Sequence, residues 1–325
     1  MSTLFSHFFT KINQISPLEH KFTEVLNTIA LKPKTLYFYG KIPENMVQAA
    51  DLENKEKHKM KEKSTKQIRT ERPKTVAIVG SRHNTRYGEE VAYKIAYDLA
   101  KKGVVIVSGL AFGIDSIAHQ AALDAEGRTV AVLGTPINQI YPQNHQALAR
   151  EIIKKDGTII SEYPPNAKIF PKTSFLERNR IISGLSDIVV VVEAAEKSGS
   201  LNTAAHALEQ GKEVFAVPGN ITNPCSMGCN KLIKQGANPY TSIDDLLHLL
   251  FPETLKKSKK AHQALLFGDS LEETAILKAI SEGIQDGETI IKTLNMPSSI
   301  FNETTTILEI KGAIRSLGAN RWALN

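Results

Sequence analysis

Cysteine is scarce in this chain of 325 residues: only Cys225 and Cys229 occur. Two cysteines cannot build a disulfide framework, and one CxxxC pair supplies too few ligands for a structural zinc site. Long hydrophobic runs are also missing. The longest, DIVVVVEAA, is far too short to cross a bilayer, and the opening MSTLFSHFFTKINQIS lacks the basic start and continuous apolar stretch of a signal peptide. The expectation is a cytoplasmic protein with no membrane association. Neither GxGxxG nor GxxxxGK[ST] occurs, so dinucleotide binding and P-loop hydrolysis both lack their signatures.

With 42% hydrophobic residues the chain can bury a sizeable core, and its formal charge of +6 suits a polyanionic partner without demanding one. From Thr75 onward, six apolar runs (TVAIVG, GVVIVSG, RTVAVLG, TIISEYP, DIVVVVEA and EVFAVPG) alternate with segments of helical period such as EEVAYKIAYDLAKKG and LNTAAHALEQG. That alternation predicts an α/β fold, an extended Rossmann-like parallel sheet with helices on both faces. Helix ends at Gly103, Gly127, Gly157 and Gly211 suggest left-handed glycine caps.

The expected domains follow from composition. Residues 1–50 form a short amino-terminal region, with a helix over Pro17 to Ala30 and a small strand in KTLYFYGKIP. Residues 51–74 are a lysine-rich linker or insert, 75–250 the core, and 251–268 a second linker. Residues 269–325 read as three short helices and a hairpin, a winged-helix module.

In open parallel sheets the ligand crevice lies beyond the carboxyl ends of the strands. There the sequence places Gly80-Ser81-Arg82, the stretch from Ser108 and Gly109 to Asp115, and Glu193 followed by Ser198, Gly199, Ser200 and Thr203. Small residues at helix amino-termini suit phosphate, and Arg82 adds a forked cationic donor. The plainer account is that the serines and Thr203 cap helices while the glycines turn the chain. Between the fourth and fifth runs, PKTSFLERNRIISG sets Lys172, Arg178 and Arg180 around Phe175, a pattern suited to holding a single strand. The alternative makes Phe175 core, pairs Arg180 with a carboxylate such as Glu193, and makes Asn179 and Arg180 braces of the connection. Asp115 and His119, four apart on a helix, read as a carboxylate orienting a histidine. No nucleophile or metal ligand set accompanies them, so no catalytic, metal or cofactor site is expected.

These motifs, with VSGLAFGIDSIAHQAAL, FLERNRIISGLSDIVVVVEA and SGSLNTAAHALEQGKEVFAVPGN, resemble the DNA-processing protein A (DprA/Smf) family. The resemblance covers Thr75 to about Leu250. It implies a single-stranded DNA binding protein, not an enzyme, that protects incoming strands in natural transformation, helps load the RecA recombinase and forms a homodimer. It also implies that Gly80, Ser81 and Arg82 are a phosphate-binding turn, that Lys172 and Phe175 are basic and base-stacking contacts, and that Ser108, Gly109 and the Ser198–Thr203 turn line the same pocket. The loop TPINQIYPQN departs from the family pattern and receives no role. Two other readings stand beside this one. A nucleotide-cleaving phosphoribohydrolase of the lysine-decarboxylase-like family is the first, although its PGGxGTxxE is here only SGSLNTAAHALE. The second is a scaffold that holds partner proteins through the winged helix.

Overall fold

β-Branched, apolar runs bounded by glycine form strands that are buried on both faces, and all six runs from Thr75 onward do so in the computed structural model, which describes residues 11–44, 72–252 and 270–324. The lysine-rich segment and the second linker lie almost wholly outside the described residues. The chain divides into two compact units, Met1–Leu246 and Leu247–Asn325.

The first unit holds a nine-stranded sheet built from β1 (Asn13–Ile15), β2 (Leu36–Gly40), β3 (Thr75–Val79), β4 (Val105–Ser108), β5 (Thr129–Leu133), β6 (Thr158–Ser161), β7 (Ile188–Val191), β8 (Glu213–Ala216) and β9 (Asn238–Pro239). Their order is β1-β2-β6-β5-β4-β3-β7-β8-β9. All pairs from β6 to β9 are parallel, whereas β1 and β2 join antiparallel. The strand read in KTLYFYG therefore extends the core sheet. Crossover helices are α1 (Arg86–Lys101), α2 (Ile114–Asp124), α3 (Gln146–Lys154), α4 (Pro171–Leu185), α5 (Ser200–Glu209) and α6 (Met227–Lys234), followed by α7 (Ile243–Leu250). Alternate strand residues feed two cores. Val130 and Val132 join Ile181, Leu185 and Ala204 of α4 and α5, while Ala131 and Leu133 join Leu123, Ala149 and Ile152 of α2 and α3.

Local structure differs from the sequence reading at three places. The helix expected over Pro17 to Ala30 is two short 3-10 turns, Pro17–Glu19 and Glu24–Thr28, because His20 between them is extended and breaks the period. Phe22 and Leu26 still reach the core. PKTSFLERNRIISG, read as a connection, is helix α4, which opens on Pro171 at a position where the missing N–H costs nothing. Of the four glycine caps, Gly103 and Gly211 are left-handed, at φ +78° and +67°, but at the other two ends Glu126 and Asp156 take that conformation. Gly127 and Gly157 are required for closeness instead: a Cβ would lie 2.7 Å from Ala100 Cβ and 2.7 Å from Ile152 Cγ2 respectively.

The second unit contains α8 (Leu271–Ser281), α9 (Gly287–Leu294), α10 (Ser298–Ile310) and an antiparallel hairpin, β10 (Ile314–Gly318) and β11 (Arg321–Leu324). Ser270 and Asp286 cap α8 and α9, and Ile276, Ile290, Phe301, Leu308 and Ile314 form the core. Among the described residues no helix is long and apolar enough to cross a membrane.

The two kinds of glycine should part under substitution by asparagine. Gly211→Asn, in open space, should stay within about 1 kcal/mol of wild type because asparagine tolerates the left-handed region. Gly127→Asn should cost about 1–3 kcal/mol through overlap with Ala100, both read from urea unfolding midpoints.

Candidate nucleic-acid interface

Beyond the carboxyl ends of β3, β4 and β5 the surface opens into a crevice of about 270 Å³, lined by Arg82, Gly109, Ala111, Phe112, Tyr141, Pro142, Phe175 and Arg178. Arg82 follows β3 on a turn fixed from two sides: Ser81 Oγ accepts from the His83 amide (3.1 Å), and the Ser81 carbonyl accepts from the Ile114 amide (3.2 Å). Gly113, at φ +77°, passes so close to this turn that a Cβ would collide with the Ser81 carbonyl. Arg82 is solvent-exposed, has no carboxylate partner among the described residues, and carries its guanidinium 5.8 Å from the centre of the Phe175 ring.

Phe175 belongs to α4 and is half-buried. Its seat depends on Gly134, where a Cβ would meet the ring at 2.6 Å. Tyr141 packs on it with centroids 5.4 Å apart. One turn further along α4, Arg178 is only 5% exposed and donates from Nη1 to the carbonyls of Gly109 (2.8 Å) and Val132. The buried Asp115 carboxylate accepts from the amides of Gly109 (3.1 Å) and Ala111 (3.4 Å). Burial pushes the Asp115 carboxyl up, against the Arg178 charge that draws it down. Burial likewise pushes Arg178 down to about 10, with Asp115 opposing and Arg82 adding to the fall. Arg178 is therefore still a cation at neutral pH.

A second carboxylate closes the start of α1. Buried Glu193, just after β7, accepts from the Thr85 amide (2.8 Å) and the Thr85 hydroxyl (2.6 Å), while Thr85 accepts from the Gly88 amide (3.2 Å). Two backbone sites open to phosphate in the sequence, the turn after β4 and the amino-terminus of α1, are thus occupied by the protein's own acids.

Of the residues singled out in the sequence, Arg82, Gly109, Phe175 and Arg178 meet in the crevice. Gly80 is packed instead, since a Cβ would lie 2.6 Å from Ile114 Cγ1, and Ser81 orders the turn. Ser108 is fully buried and donates to the Ile78 carbonyl (2.7 Å). The Ser198–Thr203 turn lies outside the crevice lining: the Ser198 and Ser200 hydroxyls bond each other at 2.7 Å, and Thr203 is buried. Asn179 braces that turn, donating to the Gly199 carbonyl (3.3 Å) and Asn202 Oδ1 (3.1 Å). Arg180 is a brace too, paired with a carboxylate as the alternative reading had it, but that of Glu162 (2.8 Å to each oxygen) in place of Glu193. Lys172 occupies the second position of α4. Asp115 does not orient His119; its role is the turn after β4, and His119 Nδ1 donates to Thr129 Oγ1 (2.6 Å), whose own proton goes to the Ile106 carbonyl. Ala111 and Phe112 lie within the Ser108–Asp115 stretch placed at the crevice but were given no individual role, and Tyr141 and Pro142 were given none. Tyr141 and Pro142 come from TPINQIYPQN, and the only signal for them was an aromatic residue shortly after a strand end.

An open, mostly parallel sheet flanked by helices, with a cationic and aromatic crevice beyond its strand ends, defines a Rossmann-like α/β protein. The sequence model of the DNA recombination-mediator protein A family matches residues 65–251, more than half of the chain, and the chain belongs to that family. It is 50% identical over 179 residues to Protein Smf of Escherichia coli, covering 54% of this chain and 46% of that protein. It is 47% identical over 175 residues to the DNA processing protein DprA of Bacillus subtilis, covering 54% and 58%. The chain thus spans about half the length of the curated relatives it matches. Among solved structures, DprA of Streptococcus pneumoniae superposes with a TM-score of 0.59 at 37% identity, over 74% of this chain and 75% of that one. DNA processing protein A of Helicobacter pylori, described for its single-stranded DNA binding mode, gives 0.58 at 30% identity, over 78% and 98%.

The buried histidine generates a pH test. Burial, with the charges of His145 and Arg178, lowers His119 from 6.5 to about 3, so the unfolded chain binds the extra proton between those values. Stability should fall with decreasing pH below about 6.5, by up to about 1.4 kcal/mol per unit. The raised Asp115 carboxyl acts in the opposite sense from its ordinary value of 3.8 upward, so the histidine's share is read as the difference between variant and wild type at each pH. His119→Asn, which keeps a donor toward Thr129, should flatten the slope of urea-derived stability between about pH 6.5 and 5.

Proposed function

We propose that the protein binds single-stranded DNA in the crevice beyond β3, β4 and β5 and catalyses no reaction on it. The observation that carries this reading is Arg82, an exposed guanidinium without a carboxylate partner among the described residues, held 5.8 Å from a half-buried aromatic ring. A forked cation holds a phosphate and a ring holds the face of an unpaired base, the combination by which proteins grip single strands with little regard to sequence. The likeness to the Helicobacter pylori protein described for its single-stranded DNA binding mode supports the same ligand. Lys172, second residue of the helix that carries Phe175, is proposed as a second cation for the strand.

The absence of catalysis rests on how the candidate groups are engaged. Glu193 is spent on Thr85, Asp115 on two amides and His119 on Thr129. The nucleotide-cleaving alternative also wants an enclosed pocket that buries most of its ligand, whereas this crevice is shallow and open to solvent. Relatives named for DNA processing and a family named for mediating recombination support a place in the handling of incoming DNA. On that basis the protein protects single strands in natural transformation, works as a cytoplasmic homodimer and passes the strand to RecA.

Fluorescence anisotropy at fixed salt should show tighter binding to single strands than to duplex, weakening as salt rises. Equal affinity for both would sink the reading. Arg82→Ala should cost about 1–3 kcal/mol of single-strand affinity; a folded variant that binds as wild type removes Arg82 from the interface. Mass photometry with strands of increasing length should show two protomers per strand, and a protomer that stays single on every length would refute the dimer.

A further inference from the structure

We infer that Phe112 and Tyr141 form a second base-stacking platform beside Phe175, so that the crevice recognises unpaired nucleobases by their faces as well as a phosphate by its charge. The inference rests on the single-strand reading and deepens it.

Both rings are exposed, Phe112 at 43% and Tyr141 at 50%, and both line the crevice from different strand ends. A single exposed ring is ordinary, but Phe112, Tyr141 and Phe175 gather at one crevice, and an apolar patch of that kind marks a binding surface. The turn after β4 is shaped to present Phe112. Leu110 at φ +58° and Gly113 at φ +77° stand on either side of it, and Leu110 is fully buried while Phe112 faces out. His145 supports the ring from one side at 4.8 Å, edge to face, and is itself held by a 2.8 Å hydrogen bond between its Nδ1 and the Leu110 carbonyl. Tyr141 leans on Phe175 at 46° between ring planes, so the two present adjoining surfaces and not a closed stack.

The electrostatics point the same way. No carboxylate is among the crevice-lining residues, and the amides after β4 and at the start of α1 already serve Asp115 and Glu193. A phosphate held by Arg82 alone does not distinguish a single strand from a duplex, because both display phosphates. Ring faces do, since only an unpaired strand can turn its bases outward to stack.

The test compares an oligothymidylate with an abasic strand of the same length, at one salt concentration. Wild type should favour the base-bearing strand. Phe112→Ala and Tyr141→Ala should each weaken binding to it about five- to hundred-fold while leaving the abasic strand unaffected. Phe112→Trp and Tyr141→Phe should retain binding, and Arg82→Ala should lose affinity for both strands. Where an alanine variant does not fold by circular dichroism, Phe112→Leu or Tyr141→Leu decides, because leucine keeps apolar bulk without a ring face. Folded Ala or Leu variants that bind oligothymidylate as wild type, or that lose both strands equally, overturn the platform. Wild-type preference for single strands over duplex would survive that result, so failure of the platform is distinguishable from failure of the reading beneath it.

Discussion

A single buried cation sets the register of the crevice. The guanidinium of Arg178 enters between β4 and β5, where it takes the carbonyls of Gly109 and Val132, and the Gly109 amide is taken in turn by Asp115. Burying a charge carries an effective penalty of several kcal/mol, tolerable only where hydrogen bonds and an opposite charge compensate. Here both are supplied. The arrangement leaves no room for a side chain at residue 109, where a Cβ would lie 2.6 Å from Arg178 Nη2. Through this contact α4 is locked to the sheet, and Phe175, one turn earlier on the same helix, comes to rest against Gly134 and near Arg82.

The same economy separates structural from ligand-facing charge. Acids close the two backbone sites where a mononucleotide phosphate would ordinarily sit, and Arg180 is neutralised by Glu162. What remains in the crevice is one exposed arginine and several rings. Such a surface suits a polymer, whose affinity is accumulated over many phosphates and bases, better than a small molecule that must be enclosed.

Much of the fold was legible because its signals are local. Six apolar runs became six strands, and the periodic segments after them became helices. The exceptions have identifiable physical causes. His20 interrupts the Pro17–Ala30 period with an extended backbone, and Glu126 and Asp156 accept left-handed strain so that Gly127 and Gly157 can pack closely. In the candidate crevice, Arg82 and Phe175 stood out in the sequence because they follow strand ends or combine charge with a ring, and the structure brings them together. Ser108, Arg178, Asn179 and Arg180 show the limit of that method. Each has the right chemistry for a ligand, and burial, which depends on tertiary packing, turned each toward the protein itself. Phe112 and Tyr141 show the converse: Phe112 sat unremarked within the stretch after β4 and Tyr141 in a loop given no role, and only the meeting of the two loops at one crevice gives the rings a place.

Phe175 lies near two arginines of opposite standing, Arg178 buried beneath the sheet edge and Arg82 exposed, with guanidinium carbons 6.0 and 5.8 Å from its centre. A cation over an exposed ring is worth about 0.5–1 kcal/mol. A base stacked on that ring is worth about 1–3 kcal/mol, and a phosphate on the freed guanidinium adds a charge-assisted bond. On the proposed reading, a strand that draws Arg82 from the ring therefore gains more than it gives up. Arg178, held by the Gly109 and Val132 carbonyls, is committed to the protein and stays beside the ring whichever partner Arg82 takes.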